Sequence, residues 1–125
     1  MKRVELAIEH IAENISGKAV LEVACGCAEF SLAAAQTAKS VDGIDLDYLR
    51  LPPSARKTEG FKFTVMDATN MAFPEGRFDA AVMYNAIGHL GAVLEKVLKE
   101  CLRVTKPGGA IFVISSFRID MPIID

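Results

Sequence analysis

The sequence predicts an α/β fold, in which a doubly wound parallel sheet of about five strands lies between two layers of helices (α/β/α). Five short runs rich in β-branched and aromatic residues alternate with helical segments. At 125 residues, with a hydrophobic share of 51%, the chain has the length of one domain, residues 1–125, with a large core. Alternating strands and helices favour right-handed crossovers and therefore a parallel sheet.

The chain opens with an amphipathic helix. Its apolar residues recur at helical spacing: Val4, Ile8, Ile11 and Ile15. The letters SGK at 16–18 place a glycine where a helix ends. KAVLEV at 18–23 then predicts strand one, and EFSLAAAQTA at 29–38 predicts a helix whose alanines allow close packing on a sheet.

Four more strands follow in order. They are predicted at 40–45 (SVDGID), 61–67 (FKFTVMD), 78–85 (FDAAVMYN) and 109–116 (GAIFVISS, after the turn KPGG). Between strands two and three, Pro52 and Pro53 interrupt a segment that is helical only in part.

The clearest helix lies between strands four and five. Its predicted apolar stripe consists of Val93, Val97, Cys101 and Val104, flanked by Leu94, Leu98 and Leu102. The charged residues on its other face are Glu95, Lys96, Lys99, Glu100 and Arg103.

Charge and composition exclude several classes of function. The net charge is −2 and the basic residues are scattered, so we expect no nucleic-acid partner. No apolar run approaches the roughly 20 residues that span a bilayer, and the charged first residues do not resemble a secretory signal. The sequence therefore predicts a cytoplasmic protein without a membrane partner. The odd number of cysteines, three, fits reduced thiols.

Acidic residues follow two of the predicted strands. Asp45 ends strand two and Asp67 ends strand three. Ligands of open α/β sheets bind outside the carboxyl ends of the strands, where strand order reverses. Two carboxylates there suit a ligand with hydroxyl and amino groups. Asp is also common in turns and caps, but the ligand role is favoured by the predicted location.

Several segments, in order, resemble the class I S-adenosylmethionine-dependent methyltransferases, which have a Rossmann-like fold. They are VLEVACGCAEFSLAAA, VDGIDLD, FTVMDATNMAFPEGRFDAAVMYNAIGHL and ECLRVTKPGGAIFVIS. FPEGRFD and AIGHL are most similar to the branch that methylates small molecules such as quinone precursors. The resemblance implies S-adenosylmethionine as cofactor and a small-molecule methyl acceptor.

The same resemblance implies individual roles. Asp45 would accept hydrogen bonds from the ribose hydroxyls, and Asp67 would accept one from the adenine amino group. Glu22 would help to organise the amino-acid end of the cofactor, or would instead bond to nearby backbone amides. The implied cofactor residues are Glu22, Ala24, Cys25, Gly26, Asp45, Leu46, Asp67, Ala68 and Tyr84. No catalytic residue and no metal ligand is assigned.

The turn after strand one departs from the family pattern. Ala24 and Ala28 stand where the family has glycines, and only Gly26 remains. Glycine permits positive φ, so an alanine forced into that conformation would be strained. We therefore predict that replacing either alanine by glycine strengthens cofactor binding.

A further departure concerns the end of the sheet. The family continues past strand five with a helix and two strands, whereas FRIDMPIID follows here, so the sheet is predicted to be truncated after strand five. An open edge invites pairing. We expect a homodimer, or a partner chain, that contacts strand five or residues Phe117 to Asp125.

Other interpretations stay open. Cys25 and Cys27 could form a metal or redox site, but no second ligand pair accompanies them, and packing is favoured. His89 could serve as a base or start a helix. For the whole chain, the alternative to methyl transfer is a catalytically silent module that binds the cofactor. A nicotinamide domain is disfavoured because the turn lacks G-x-G-x-x-G.

Overall fold

The computed structural model describes residues 3–115, which contain one five-stranded parallel sheet. The strands are β1 (Ala19–Val23), β2 (Ser40–Asp45), β3 (Phe61–Val65), β4 (Phe78–Tyr84) and β5 (Thr105–Ile114). Their order in the sheet is β3-β2-β1-β4-β5, and every neighbouring pair is parallel. The chain therefore reverses direction across the sheet at β1, whose neighbours are β2 and β4. The predicted fold class is confirmed.

Helices or 3₁₀ turns precede every strand except β4, which a loop joins to β3. The helices are α1 (Arg3–His10), α2 (Ala12–Ile15), α3 (Glu29–Ala34), α4 (Ile87–Leu90) and α5 (Leu94–Val104), with 3₁₀ turns at Pro53–Lys57 and Gly91–Val93. The single opening helix that the spacing predicts is interrupted at Ile11, whose backbone has φ −115° and ψ 19°. The segment that contains Pro52 forms only the 3₁₀ turn, in line with the expected effect of proline.

Two hydrophobic clusters cover the two faces of the sheet. One joins α1, α2 and α3 to alternate strand residues such as Val20, Val41 and Val82. The other joins α5 to the opposite set, which includes Leu21 and Met83. All five residues of β1 are buried, as expected for the central strand of a parallel sheet covered on both faces.

Helix α5 differs in part from its predicted pattern. Val97, Cys101 and Val104 are buried as expected, whereas Leu102 is 67% exposed because it lies on the side of the helix away from the sheet. Glu100 and Arg103, predicted on the face opposite the apolar stripe, form an ion pair with a nitrogen–oxygen distance of 2.8 Å. Both residues also bond to the loop between β3 and β4, so they hold that loop against α5.

Strand β5 begins earlier than predicted. The KPGG segment lies inside Thr105–Ile114, and the pairing with β4 is irregular there before it becomes regular at Ala110. Gly109 has no room for a side chain, because a Cβ would lie 2.6 Å from the carbonyl oxygen of Asp79. Within the described residues β5 is an edge strand. The predicted contact segment Phe117 to Asp125 lies outside the described residues.

Candidate functional site

The turn after β1 has left-handed backbone at three positions. The φ angles are 56° at Ala24, 55° at Gly26 and 64° at Ala28. Left-handed backbone costs an L-residue roughly 1–2 kcal/mol, so the two alanines are strained as the sequence predicted. Strained backbone of this kind is characteristic of functional sites.

Asp45 ties the end of β2 to this turn. Its Oδ2 atom accepts a hydrogen bond of 2.8 Å from the backbone nitrogen of Gly26, and its Oδ1 atom accepts one of 3.2 Å from Asp47. The carbonyl oxygen of Ile44, one residue earlier, accepts a bond of 2.9 Å from the backbone nitrogen of Cys25. Two consecutive residues of the turn, Cys25 and Gly26, therefore donate hydrogen bonds to the end of β2.

Asp67 organises the loop after β3 in a similar way. Its Oδ1 atom accepts hydrogen bonds from the backbone nitrogen and the hydroxyl of Thr69, at 2.9 and 2.7 Å. The backbone bond and then the side-chain bond hold the pKa of Asp67 below its usual range. The turn role considered for both aspartates is confirmed. Carboxylate oxygens have about four lone-pair sites in total, so capacity for a ligand remains on both groups.

Glu22 is buried in β1 and bonds to Ser31 of α3. Its Oε1 atom accepts hydrogen bonds from the backbone nitrogen and the hydroxyl of Ser31, at 3.1 and 2.6 Å. Burial, and to a smaller extent the charges of Asp45 and Glu29, raises the pKa of Glu22 to about 8. Of the two alternatives considered for Glu22, the bond to a backbone amide is confirmed, and the cofactor role stays a prediction. Ser31 was not identified from the sequence, since nothing in the pattern indicates which helix residue faces Glu22.

Two cavities lie at the carboxyl ends of the strands, and both are lined by Ala24, Arg50 and His89. The larger measures about 230 Å³ and the smaller about 130 Å³. Of the predicted cofactor residues, Ala24, Asp45, Leu46, Asp67 and Ala68 line the larger cavity. Glu22, Ala24, Cys25, Gly26 and Tyr84 line the smaller one. All nine predicted residues therefore line these two neighbouring cavities, which together are called the crevice.

The ring of Tyr84 stacks on Phe30 with centroids 5.7 Å apart, so the end of β4 is packed against α3. The next residue, Asn85, also lines the smaller cavity and has a positive φ of 57°. Leu90 and Val97 supply apolar surface to the larger cavity from the opposite layer of helices. The crevice thus combines an apolar wall with carboxylates at the strand ends.

Arg50, Glu29 and Asp47 are the charged residues of the crevice that the sequence analysis did not single out. A Cβ placed on Gly26 would lie 3.0 Å from Cζ of Arg50, so the guanidinium rests directly on the glycine. Glu29 is exposed at the start of α3 and lines the smaller cavity. Arg50 belongs to a segment without regular periodicity, so its direction could not be derived from the sequence.

Cys25 and Cys101 are buried, in agreement with the predicted packing roles, and Cys27 is exposed. Burial is the main cause that raises the pKa of the Cys25 thiol well above its usual value. Among residues 3–115, no three His, Cys, Asp or Glu side chains are grouped so that they could hold a metal ion. No helix in that range is long and apolar enough to span a membrane.

A family described as "Methyltransferase domain" matches residues 21–113. The chain belongs to this family. The matched range begins in β1 and ends in β5, so it includes every strand end that forms the crevice. The resemblance to class I S-adenosylmethionine-dependent methyltransferases is confirmed, and with it the cofactor class of the family.

Individual relatives agree with the family. A demethylmenaquinone methyltransferase of Paenarthrobacter aurescens is 34% identical over 101 residues, which are 81% of this chain and 39% of the relative. A SAM-dependent methyltransferase structure from Methanosarcina mazei matches with a TM-score of 0.69 and 28% identity, over 83% of this chain and 55% of the other. The YcgJ protein from Bacillus subtilis, at 23% identity and a TM-score of 0.79, shares the fold over 88% of this chain and 48% of its own. The chain spans less than half the length of the curated relative.

Proposed function

We propose that this chain forms the S-adenosylmethionine-binding part of an enzyme that transfers a methyl group to a small-molecule acceptor. The observation that carries the proposal is the crevice formed by two neighbouring cavities, which are lined by all nine residues that the family resemblance implied. It lies outside the carboxyl ends of β1 and β4, where strand order reverses and ligands of such sheets bind.

The larger cavity fits an adenosine group. Ile44, Leu90 and Val97 offer apolar surface for a flat base. Asp45 and Asp67 offer oxygens that would accept from ribose hydroxyls and from the adenine amino group. The smaller cavity, with Glu22 and Glu29 on its wall, would take the amino-acid part.

When bound, S-adenosylmethionine supplies a methyl group on a sulfonium, which is already a good leaving group. The protein therefore needs to align the two reactants and exclude water rather than activate a nucleophile strongly. Carboxylates such as Asp45 and Glu29 complement the positive charge of the cofactor. His89 lines both cavities, and we propose it as the group that takes a proton where the acceptor atom must lose one.

The acceptor proposed is a small apolar molecule of the quinone-precursor type. The name of the Paenarthrobacter aurescens relative, a demethylmenaquinone methyltransferase, supports this class. Leu46 and Val93 line the larger cavity and are 71% and 39% exposed, so the mouth of the crevice presents apolar surface. A cytoplasmic location is part of the same proposal.

Two measurements on the purified chain test the function. Calorimetric titration with S-adenosylhomocysteine and with NAD should show binding of the first and not of the second. Incubation with methyl-labelled S-adenosylmethionine and a panel of quinone precursors should then transfer label to one of them. Binding without transfer would favour the silent module, and binding of NAD alone would overturn the family-based cofactor assignment.

We also propose that the edge of β5 pairs with a second copy or another chain. In the described residues β5 bonds to β4 on one side only, and Val113 on β5 is 46% exposed. Unpaired strand edges are templates for association. Light scattering and sedimentation should show a dimer at micromolar concentration. A monomer that shows no concentration dependence would contradict the proposal and favour coverage of the edge by the chain itself.

A further inference from the structure

The guanidinium of Arg50 packs closely against Gly26, where a side chain would crowd it. Its Cζ and Nη1 atoms both lie 3.0 Å from the place where a Cβ on Gly26 would be. The guanidinium therefore lies against bare backbone at the tip of the turn, next to the point where Gly26 donates to Asp45. Arg50 is also one of three residues that line both cavities, together with Ala24 and His89.

The charges around the crevice are uneven. The carboxylic acids that line the two cavities are Glu22, Glu29, Asp45, Asp47 and Asp67. Arg50 is the single arginine or lysine on either cavity wall in the described part of the chain. None of the ion pairs found among residues 3–115 includes Arg50. A guanidinium in this position is available to an anionic group that enters the crevice.

We infer that Arg50 binds the carboxylate of the amino-acid part of the ligand and makes the site select ligands that carry this group. The inference deepens the proposed function and rests on it. A guanidinium can bind a carboxylate through two parallel hydrogen bonds, which adds geometric specificity to charge. On the same cavity wall, Glu29 presents a carboxylate to the ammonium group of the same amino acid. The smaller cavity thus carries the two opposite charges that a zwitterion requires.

The experiment compares two ligands that differ only in this part. S-adenosylhomocysteine carries the amino acid, whereas 5′-methylthioadenosine keeps the adenosine and the thioether and lacks the carboxylate and ammonium. Calorimetric titrations would be made on the wild-type chain and on Arg50→Met, which keeps an unbranched apolar stem and removes the guanidinium with its charge. Arg50→Lys keeps the charge but not the planar pair of donors.

A matched control is available in the same segment. Arg56 lies over the rings of Tyr48 and Phe63, at 5.9 and 5.6 Å from their centroids, and lines neither cavity. Arg56→Met therefore removes the same charge close by without touching the crevice. Thermal unfolding of each variant would show that the fold is retained.

Arg50→Met should weaken binding of S-adenosylhomocysteine by about tenfold or more, as expected for lost hydrogen bonds between charged groups, and should leave 5′-methylthioadenosine within about twofold. The affinity of Arg50→Lys for S-adenosylhomocysteine should lie between those of the wild type and Arg50→Met. Arg56→Met should bind both ligands as the wild type does. An equal loss for both ligands would overturn the inference, because Arg50 would then support the whole crevice. Tighter binding of both ligands by Arg50→Met would also overturn the inference, since the guanidinium would then only obstruct the site. Failure of both ligands to bind the wild-type chain would instead contradict the proposed function.

Discussion

The two ends of the sheet use left-handed backbone with different residues. Near the amino ends of the strands the positive φ angles belong to glycines: Gly17, Gly60, Gly76 and Gly108. At the carboxyl ends they belong to Ala24, Gly26, Ala28 and Asn85. Glycine adopts this conformation without a steric cost, whereas alanine does not. Strain is therefore concentrated at the crevice end, where the proposed function requires a specific turn.

The carboxylates at the two ends of the sheet also differ in their partners. Near the amino ends, Asp42 pairs with Arg77 at 3.3 Å, and Asp79 bonds to Lys106 at 3.2 Å. At the crevice, the observed donors to Asp45 are backbone nitrogens, and no ion pair in the described residues includes it. Acids with cationic partners contribute to the fold, whereas an acid held only by backbone amides keeps capacity for a ligand.

The largest expected effect comes from removing the carboxylate of Asp45 at the crevice end of the sheet. Asp45→Ala should weaken binding of S-adenosylhomocysteine by about 1–3 kcal/mol, because ligand hydroxyls lose a half-buried charged acceptor. Calorimetric titration measures the change. Asp79→Ala is the control at the other end, where the carboxylate also accepts a bond of 2.9 Å from the backbone nitrogen of Ala19. It should lower stability and leave affinity unchanged. Equal affinity of the Asp45→Ala variant and the wild type would remove the ribose assignment.

A second effect concerns the buried acid below the turn. The pKa of Glu22 is 4.5 in the unfolded chain and about 8 in the folded one, chiefly because of burial. Between these values unfolding releases a proton, so the contribution of Glu22 to stability falls as pH rises through that window and is level above it. Glu22→Gln cannot ionise and should escape this loss.

Urea unfolding of both proteins at about pH 5 and about pH 9 tests this, with the stability of Glu22→Gln relative to the wild type increasing at the higher pH. Glu9→Gln, at an exposed position of α1, is the control and should show no such change. A difference that does not vary with pH would contradict the raised pKa of Glu22.

The smallest expected effect is a difference in stability between glycine substitutions at the two strained alanines. Ala24→Gly should raise the free energy of unfolding by about 0.5 kcal/mol, since relief of left-handed strain exceeds the added entropy of the unfolded chain. Ala28→Gly should be close to neutral, because the methyl of Ala28 is fully buried and its packing is lost. Ala24→Gly should also strengthen binding of S-adenosylhomocysteine. A destabilised Ala24→Gly variant, or weaker binding, would show that the methyl of Ala24 is needed.

The local sequence pattern was sufficient to predict much of the fold and some of the residues that line the crevice. The limits of β2, with Asp45 as its last residue, were predicted without error. The predicted end of strand three at Asp67 was wrong, because β3 ends at Val65 and Asp67 lies two residues beyond it. Parallel strands bring their carboxyl ends to one edge, so placing both acids in one crevice required no knowledge of packing. The interruption of the first helix at Ile11 was not predicted, because its apolar spacing continues through that residue.

By itself the sequence determined the order of strands and helices along the chain and the acids at or just beyond the ends of β2 and β3, since these depend on properties that repeat along a few neighbouring residues. The tertiary structure alone decided that Ser31 bonds to Glu22, that Arg50 lies on Gly26 and that Glu100 and Arg103 hold a loop. These contacts join residues from different elements. They depend on how those elements pack in space, and the local sequence pattern carries little information about which side chains of two packed elements meet.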